Sequence, residues 1–186
     1  MRRHGACGLA KAQHTDPFEA LVRAIISQQL STRAAATIAA RFEALFDDGH
    51  PTPARVAAVS DERLRGCGLS TQKLGYIRDL CLHIENGSLP LDALDRMSDD
   101  DVIEALTRVK GIGRWTAEMF LIFHLKRPDI LPLDDLGLLQ SAARHFGWAY
   151  PFDSKQLEVR AEAWRPWRTV GVWYLWRALD PQPVVY

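Results

Sequence analysis

The sequence predicts an all-α protein, and three observations lead to that fold class. Apolar residues recur three and four positions apart in several segments, which is the spacing of a buried helix face. No segment keeps the two-residue alternation of a half-buried strand, and there is no internal repeat. Because 47% of the 186 residues are apolar, the chain can bury a core in one domain or in two closely packed lobes.

Three helices are predicted in the first half of the chain. The first begins at Pro17 behind the capping residue Asp16, and the second begins behind Ser31. A third ends at Asn86 and Gly87, where the apolar spacing stops. Their predicted buried stripes are Phe18, Leu21, Val22, Ile25 and Ile26; Ala35, Ile38, Phe42, Leu45 and Phe46; and Leu74, Ile77, Cys81 and Ile84.

The helices of the second half are delimited by capping residues, glycines and prolines. Ser98 followed by Asp101 resembles a capping box, which predicts a helix that runs through Leu106. After the glycines at 111 and 113, the helical pattern resumes and extends from Arg114 to Leu125. The remaining helices are predicted to begin near Asp134, at Ser154 and at Pro166.

The whole-chain charge gives no sign of a bulk nucleic-acid binder. Lysine and arginine number 23 together, and so do aspartate and glutamate, so any nucleic-acid function must rest on local features. Arginines near the C-terminus and acids between residues 95 and 104 allow either a polarised surface or an ordinary mixed one. The arginines concerned are Arg160, Arg165, Arg168 and Arg177.

Cysteine spacing and hydropathy argue against further classes of protein. Cys7, Cys67 and Cys81 are too far apart for a zinc knuckle or a redox dithiol, so reduced thiols are expected. No stretch approaches the roughly 20 uninterrupted apolar residues of a membrane span, and the N-terminus lacks a secretory apolar segment. The expected location is therefore the cytoplasm, with association with the nucleoid.

The segment between two predicted helices, residues 109–113, has features of an anion site. Gly111 and Gly113 permit positive φ and let the backbone approach a bulky partner closely. The N–H groups of a helix that starts at Arg114 would point, with its positive dipole end, at an anion such as a DNA phosphate. A tight turn between two helices accounts for the same glycines, and Lys110 is either a phosphate contact or a solvated side chain.

Residues 106–117, LTRVKGIGRWTA, resemble the helix-hairpin-helix of the HhH-GPD superfamily of base-excision DNA glycosylases. Three further blocks fall in the order of that family. Residues 24–31, AIISQQLS, are similar to the segment that places a side chain into the duplex, and residues 131–135, LPLDD, resemble the loop of the catalytic aspartate. Residues 164–168 and 173–176 are similar to the C-terminal helix of the 3-methyladenine DNA glycosylase II type.

The resemblance covers roughly residues 14 to 180 and implies a two-lobed helical core. One lobe is expected at residues 31–130, around the hairpin at 107–115, and the other at residues 1–30 with 131–186. The extra N-terminal sheet domain of the bacterial enzyme type is expected to be missing, because too few residues precede position 14.

The resemblance assigns catalysis to Asp135 and helix capping to Asp134. Cleaving an N-glycosidic bond builds positive charge on the sugar, which a carboxylate in a dry pocket stabilises while it orients the attacking water. From the residue alone, an aspartate at a helix start is explained by capping. Strand-cutting relatives carry a lysine at the position of Trp115, so the resemblance implies a monofunctional enzyme. No cysteine follows Cys81, so no iron–sulfur cluster is expected.

The resemblance also implies an aromatic pocket for a cationic, alkylated base. Trp115 and Trp176 match tryptophans of that pocket, whose electron-rich rings attract a positive face. Met119 and Leu136 stand where the family type has tyrosines, which predicts thinner stacking. The opposing possibility for any tryptophan is a place in the core.

DNA contacts are implied at two loops. Gln29 matches the residue that fills the gap left by the extruded nucleotide. Gln28 and Gln29 could both hydrogen-bond the orphaned base, and Leu30 is either a wedge or a core residue. The carbonyls of Thr107, Val109 and Ile112 align with positions that often hold a monovalent cation, which would be structural. Further implied DNA contacts are Lys110, Gly111, Gly113, Arg114 and Thr116.

The expected function is that of a monomeric, monofunctional DNA glycosylase that excises alkylated purines of the 3-methyladenine and 7-methylguanine type. Its partner would be damaged double-stranded DNA, bound in a salt-sensitive manner. One alternative keeps the aspartate and changes the lesion to uracil, ethenoadenine or an oxidised purine. Another is a helix-hairpin-helix module that binds DNA without cutting it.

Overall fold

A computed structural model describes residues 5–9 and 16–179, and no strand occurs among them. The all-α prediction is confirmed. Short 3-10 helices cover Leu91–Arg96 and Glu162–Trp164. The α-helices are α1 (Pro17–Ser27), α2 (Thr32–Glu43), α3 (Pro53–Ala58), α4 (Asp61–Gly66), α5 (Thr71–Glu85), α6 (Asp99–Thr107), α7 (Arg114–Phe123), α8 (Leu136–Phe146), α9 (Ser154–Ala161) and α10 (Arg168–Leu179).

The predicted helix starts are confirmed where a side chain caps the helix. Asp16 accepts hydrogen bonds from the N–H groups of Phe18 and Glu19, and Pro17 is the first residue of α1. Ser98 accepts the N–H of Asp101 at 3.2 Å, as an N-cap does, and also donates its hydroxyl to the Asp101 carboxylate at 2.6 Å.

Several boundaries differ from the prediction. α2 ends at Glu43, and of its predicted stripe only Phe42 and Phe46 are buried, with Phe46 beyond the helix and packed edge-to-face on Phe42 at 5.6 Å. α7 stops at Phe123 rather than Leu125, and a left-handed residue, Lys126, follows. α3 and α4 have six residues each, which is too short for an apolar period to show.

The chain divides into two compact units. In the first, which includes residues 16–117, α5 packs against α1, α3 and α4, and α1 also packs against α2. Burial of large apolar side chains stabilises this unit. The fully buried ones are Phe18, Leu21, Ile25, Ile26, Phe42, Leu64, Ile77, Leu80, Leu89, Leu94 and Leu106.

The second unit includes residues 5–9 and 118–179, and its centre is the packing of α8 against α10. The Ser141 hydroxyl of α8 donates to the carbonyl of Leu175 in α10. At the start of α10, the Thr169 hydroxyl accepts the N–H of Ile130 at 2.8 Å and donates to the carbonyl of Arg127 at 2.8 Å. These two hydrogen bonds join the start of α10 to the loop between α7 and α8.

The bounds of these units differ from those of the predicted lobes, which stay a prediction. Residues 16–30 fall with the first unit because α1 packs against α2 and α5, and the other boundary lies inside α7 after Ala117. Across the residues that the structure describes, no helix combines the length and the apolar character of a bilayer span.

Candidate active site and DNA-contact loops

Asp135 is the capping residue of α8, and its side chain is only 7% exposed. Its Oδ1 atom accepts the N–H of Leu138 at 2.5 Å and the indole N–H of Trp176 at 3.0 Å. The expectation that Asp134 caps this helix is wrong: Leu136 is the first helical residue, so only Asp135 can reach the third backbone amide. Asp134 is exposed.

Trp176 positions this carboxylate from α10. Its side chain is 6% exposed, and its ring stacks on that of Phe123 with centroids 5.8 Å apart and an interplanar angle of 16°. The packing of α8 against α10 brings the indole donor to Asp135, and the N-terminal dipole of α8 adds positive partial charge beside the acid. One carboxylate oxygen is therefore fixed by two donors, while a stacking role for Trp176 against a base stays a prediction.

Gly137, which sequence reasoning missed, gives the carboxylate its space. A Cβ at this position would lie 3.3 Å from Oδ1 of Asp135, closer than ordinary contact. Glycine is among the least favourable residues inside a helix, so its presence in the first turn of α8 was the available signal.

The other predicted pocket residues differ in exposure. In the unit that contains Asp135, Met119 is buried, whereas Leu136, next to the acid in sequence, is 65% exposed. Trp115 is half-buried and belongs to the unit of residues 16–117. Their contact with a base stays a prediction.

The hairpin between α6 and α7 uses only one of its two glycines for positive φ. Gly111 has a φ of +83°, and a Cβ there would lie 2.1 Å from the ring of Tyr76 on α5. Gly113 has no positive φ, and a Cβ there would meet open space. The turn is closed by a hydrogen bond from the N–H of Ile112 to the carbonyl of Val109 at 3.1 Å.

Asp79, on α5, binds the backbone of the same hairpin. Asp79 accepts the N–H of Lys110 at 2.8 Å, and its other oxygen lies 3.2 Å from the Lys110 ammonium. Burial alone would raise the pKa of Asp79, but the hydrogen bonds from Lys110 hold it below its ordinary value. The Lys110 side chain is 77% exposed, and its phosphate contact stays a prediction. Thr116 is buried and Arg114 is exposed, and the DNA contacts predicted for both stay predictions.

The loop after α1 forms a tight turn over Ser27–Leu30. The N–H of Leu30 donates to the carbonyl of Ser27 at 3.1 Å, and Gln29 has a φ of +56°. Leu30 is 39% exposed, so it is not a core residue. The side-chain amide of Gln28 donates to the carbonyl of Gly111 at 2.8 Å, which leaves Gln29 as the exposed glutamine of the pair.

The predicted cation site consists of backbone carbonyls, which are hard oxygen ligands of the kind that alkali ions accept. The Val109 carbonyl accepts the Ile112 N–H at 3.1 Å and keeps a second lone pair that could bind an ion, and the cation at Thr107, Val109 and Ile112 stays a prediction. Among the described residues, no group of three or more His, Cys, Asp or Glu side chains is placed to hold a metal.

Two of the cysteines and two of the C-terminal arginines have structural explanations. Cys67 and Cys81 are buried thiols, and burial raises the pKa of Cys81 to about 12. Arg168 and Arg165 both pair with Asp129 at 2.8 Å, which favours the ordinary mixed surface over the polarised one at these two positions.

The helical fold, the glycine hairpin and the buried, oriented acid agree with the class of DNA-repair protein that the motifs predicted, and comparison with known proteins identifies the family. A family model described as "HhH-GPD superfamily base excision DNA repair protein" matches residues 22–169. The chain belongs to this superfamily, as its sequence motifs predicted.

The relatives and solved structures similar to this chain carry consistent names. It is 37% identical over 165 residues to DNA-3-methyladenine glycosylase 1 of Schizosaccharomyces pombe, covering 87% of this chain and 72% of the relative. It is similar to a DNA-3-methyladenine glycosidase structure from Bacillus halodurans, with 42% identity, a TM-score of 0.81 and coverage of 91% and 78%. A structure of the S. pombe 3-methyladenine DNA glycosylase with abasic DNA matches at 36% identity and a TM-score of 0.76, covering 87% and 79%.

Proposed function

We propose that this chain is a DNA glycosylase that hydrolyses the N-glycosidic bond of alkylated purines in double-stranded DNA, with Asp135 as its catalytic carboxylate. The observation that carries this proposal is the state of Asp135, buried at the start of α8 and oriented by the indole of Trp176. A helix cap needs only the bond from the backbone amide, and the indole donor from α10 adds a second restraint on the same oxygen. The names of the similar glycosylases support the same substrate class.

The proposed chemistry uses the charge of this acid. An alkylated purine ring is cationic, so it departs as a neutral base with the electrons of the glycosidic bond and needs no added proton. Positive charge then develops on the sugar, where the Asp135 carboxylate stabilises it. Water adds to the sugar carbon, and the carboxylate accepts the proton that the water releases. Because the carboxylate is already oriented in the protein, no reorganisation is needed as the charge appears.

We propose further that the enzyme is monofunctional and does not cut the strand, since a lyase step needs a free, neutral lysine amine. Trp115 occupies the position where the resemblance places that lysine. The Lys110 ammonium pairs with Asp79. Burial lowers the pKa of Lys73 and Lys126, but both ammonium groups donate to backbone carbonyls.

Two smaller proposals complete this function. A monovalent cation at the carbonyls of Thr107, Val109 and Ile112 would place positive charge beside a DNA phosphate and would have no part in bond cleavage. The protein would act as a monomer, which sedimentation of the free protein tests directly.

The experiment is base release from methylated duplex DNA, with strand nicks scored separately. We expect release without nicks, and Asp135→Asn to lower the single-turnover rate by about a hundredfold or more. The matched control is Asp134→Asn, an exposed neighbour that should keep the rate within about twofold. Equal rates in the wild type and Asp135→Asn would show that Asp135 is not the catalytic residue.

A panel of other lesions separates the remaining candidates. Release of uracil, ethenoadenine or an oxidised purine in preference to methylated purines would retain Asp135 as the catalytic residue and change the proposed substrate. Duplex binding without release of any base would favour a DNA-binding module.

A further inference from the structure

The turn Ser27–Leu30 holds its most exposed glutamine in an unfavourable backbone conformation. Gln28 has φ −50° and ψ 128°, and Gln29 has φ +56°, which together make a type II turn. The third position of such a turn favours glycine, because other side chains are strained at positive φ. A glutamine persists there only if neighbouring groups fix the turn.

Lys73, on α5, supplies that restraint. Its Nζ atom lies 2.6 Å from the carbonyl oxygen of Ile26 and 2.7 Å from that of Gln28, on both sides of Ser27. The last carbonyls of α1 have no partners within the helix, and the negative end of its dipole favours a cation. The lysine is half-buried, so water has only partial access to these bonds.

α5 holds the turn and the hairpin together. Three of its residues lie one helical turn apart: Lys73 contacts the turn, Tyr76 packs on Gly111, and Asp79 accepts the N–H of Lys110. The Gln28 amide then joins the turn to the Gly111 carbonyl. The two loops predicted to meet DNA therefore share one rigid support.

We infer that Lys73 is a positioning residue that fixes the Ser27–Leu30 turn so that Gln29 and Leu30 can enter the duplex. This inference rests on the proposed function. Nucleotide extrusion depends on Lys73, and bond cleavage does not. Without the lysine the turn would have to be ordered during DNA binding, and ordering a few residues at that stage lowers affinity and rate.

The test compares two substrates that contain the same methylated purine. One has the lesion in a fully paired duplex, and the other has it in an unpaired bubble, where extrusion requires less work. We expect Lys73→Met to slow single-turnover release from the duplex by about tenfold or more and from the bubble by less than about threefold. Lys73→Arg, which keeps the charge and two donors, should recover most of the loss.

The matched control is Lys155→Met, which removes the same charge from an exposed position on α9. Its release rates should equal those of the wild type on both substrates. Should Lys73→Met fail to fold, Lys73→Gln keeps one donor and should give an intermediate loss on the duplex. Equal losses on both substrates would overturn the inference.

Amide hydrogen exchange of the free protein provides a readout that does not depend on activity. The N–H of Leu30 is bonded inside the turn, so its exchange should accelerate by about tenfold in Lys73→Met and not in Lys155→Met. Unchanged exchange would overturn the inference. If the wild type releases no base, the proposed function fails, and this measurement still decides whether Lys73 holds the turn.

Discussion

The acid site at the start of α8 and the loops around α5 are held in opposite ways. At the acid site the functional side chain itself is restrained, because Asp135 is buried and two donors bond its Oδ1 atom. In the loops the backbone is restrained, by Lys73 and Asp79, while Gln29 and Leu30 stay exposed.

This difference follows from what each region has to do. Charge stabilisation in a transition state requires a fixed, desolvated group, since a mobile carboxylate would have to reorganise during the reaction. Insertion into a duplex requires exposed side chains on a backbone that is already ordered. Changes near α8 should therefore affect the chemical step, whereas changes along α5 should affect DNA engagement and stability.

Among changes to the residues that support Asp135 and the hairpin, the largest effect is expected for Trp176→Phe. The change removes the indole donor to Asp135 and keeps a ring against Phe123. Because a hydrogen bond to a charged group contributes about 2 kcal/mol, the single-turnover rate should fall ten- to hundredfold, with about the same duplex affinity. Trp173→Phe, on the same helix, is the control. Equal losses in both variants, or a loss of affinity in place of rate, would contradict the positioning role.

The second largest effect is expected at the hairpin, where substitution of its two glycines should change the stability of the protein by different amounts. Gly111→Ala forces a Cβ into the ring of Tyr76 at positive φ, so we expect a loss of about 2 kcal/mol in the free energy of unfolding. Gly113→Ala introduces neither a clash nor a residue at positive φ, so it should change the free energy of unfolding by less than about 0.5 kcal/mol. Urea unfolding at constant m-value measures both. Similar losses would mean that the hairpin restrains both glycines alike.

Local signals in the sequence predicted much of the fold. Asp16 and Ser98 marked their helices correctly because a cap bonds amides only two or three residues away. α3 and α4 were missed since six residues hold less than two turns. The motif order also predicted the position of Asp135 at the start of a helix.

Contacts between distant segments could not be predicted. The bond from Trp176 to Asp135 spans 41 positions, and that from Lys73 to Ile26 spans 47, so both exist only after helices have packed. From the sequence, Gly111 and Gly113 likewise had the same predicted role. They differ in the structure, where the ring of Tyr76 lies against Gly111 and not against Gly113.

The smallest effect, and the one that best separates stability from chemistry, is expected for Gly137→Ala. Alanine should stabilise the first turn of α8 by up to about 1 kcal/mol, because glycine is a poor helix former. Its Cβ would lie 3.3 Å from Oδ1 of Asp135, so the carboxylate must shift by a few tenths of an ångström. We therefore expect base release to slow by about threefold while the melting temperature stays equal or rises. Slower release together with a lower melting temperature would instead point to general disruption of the helix start.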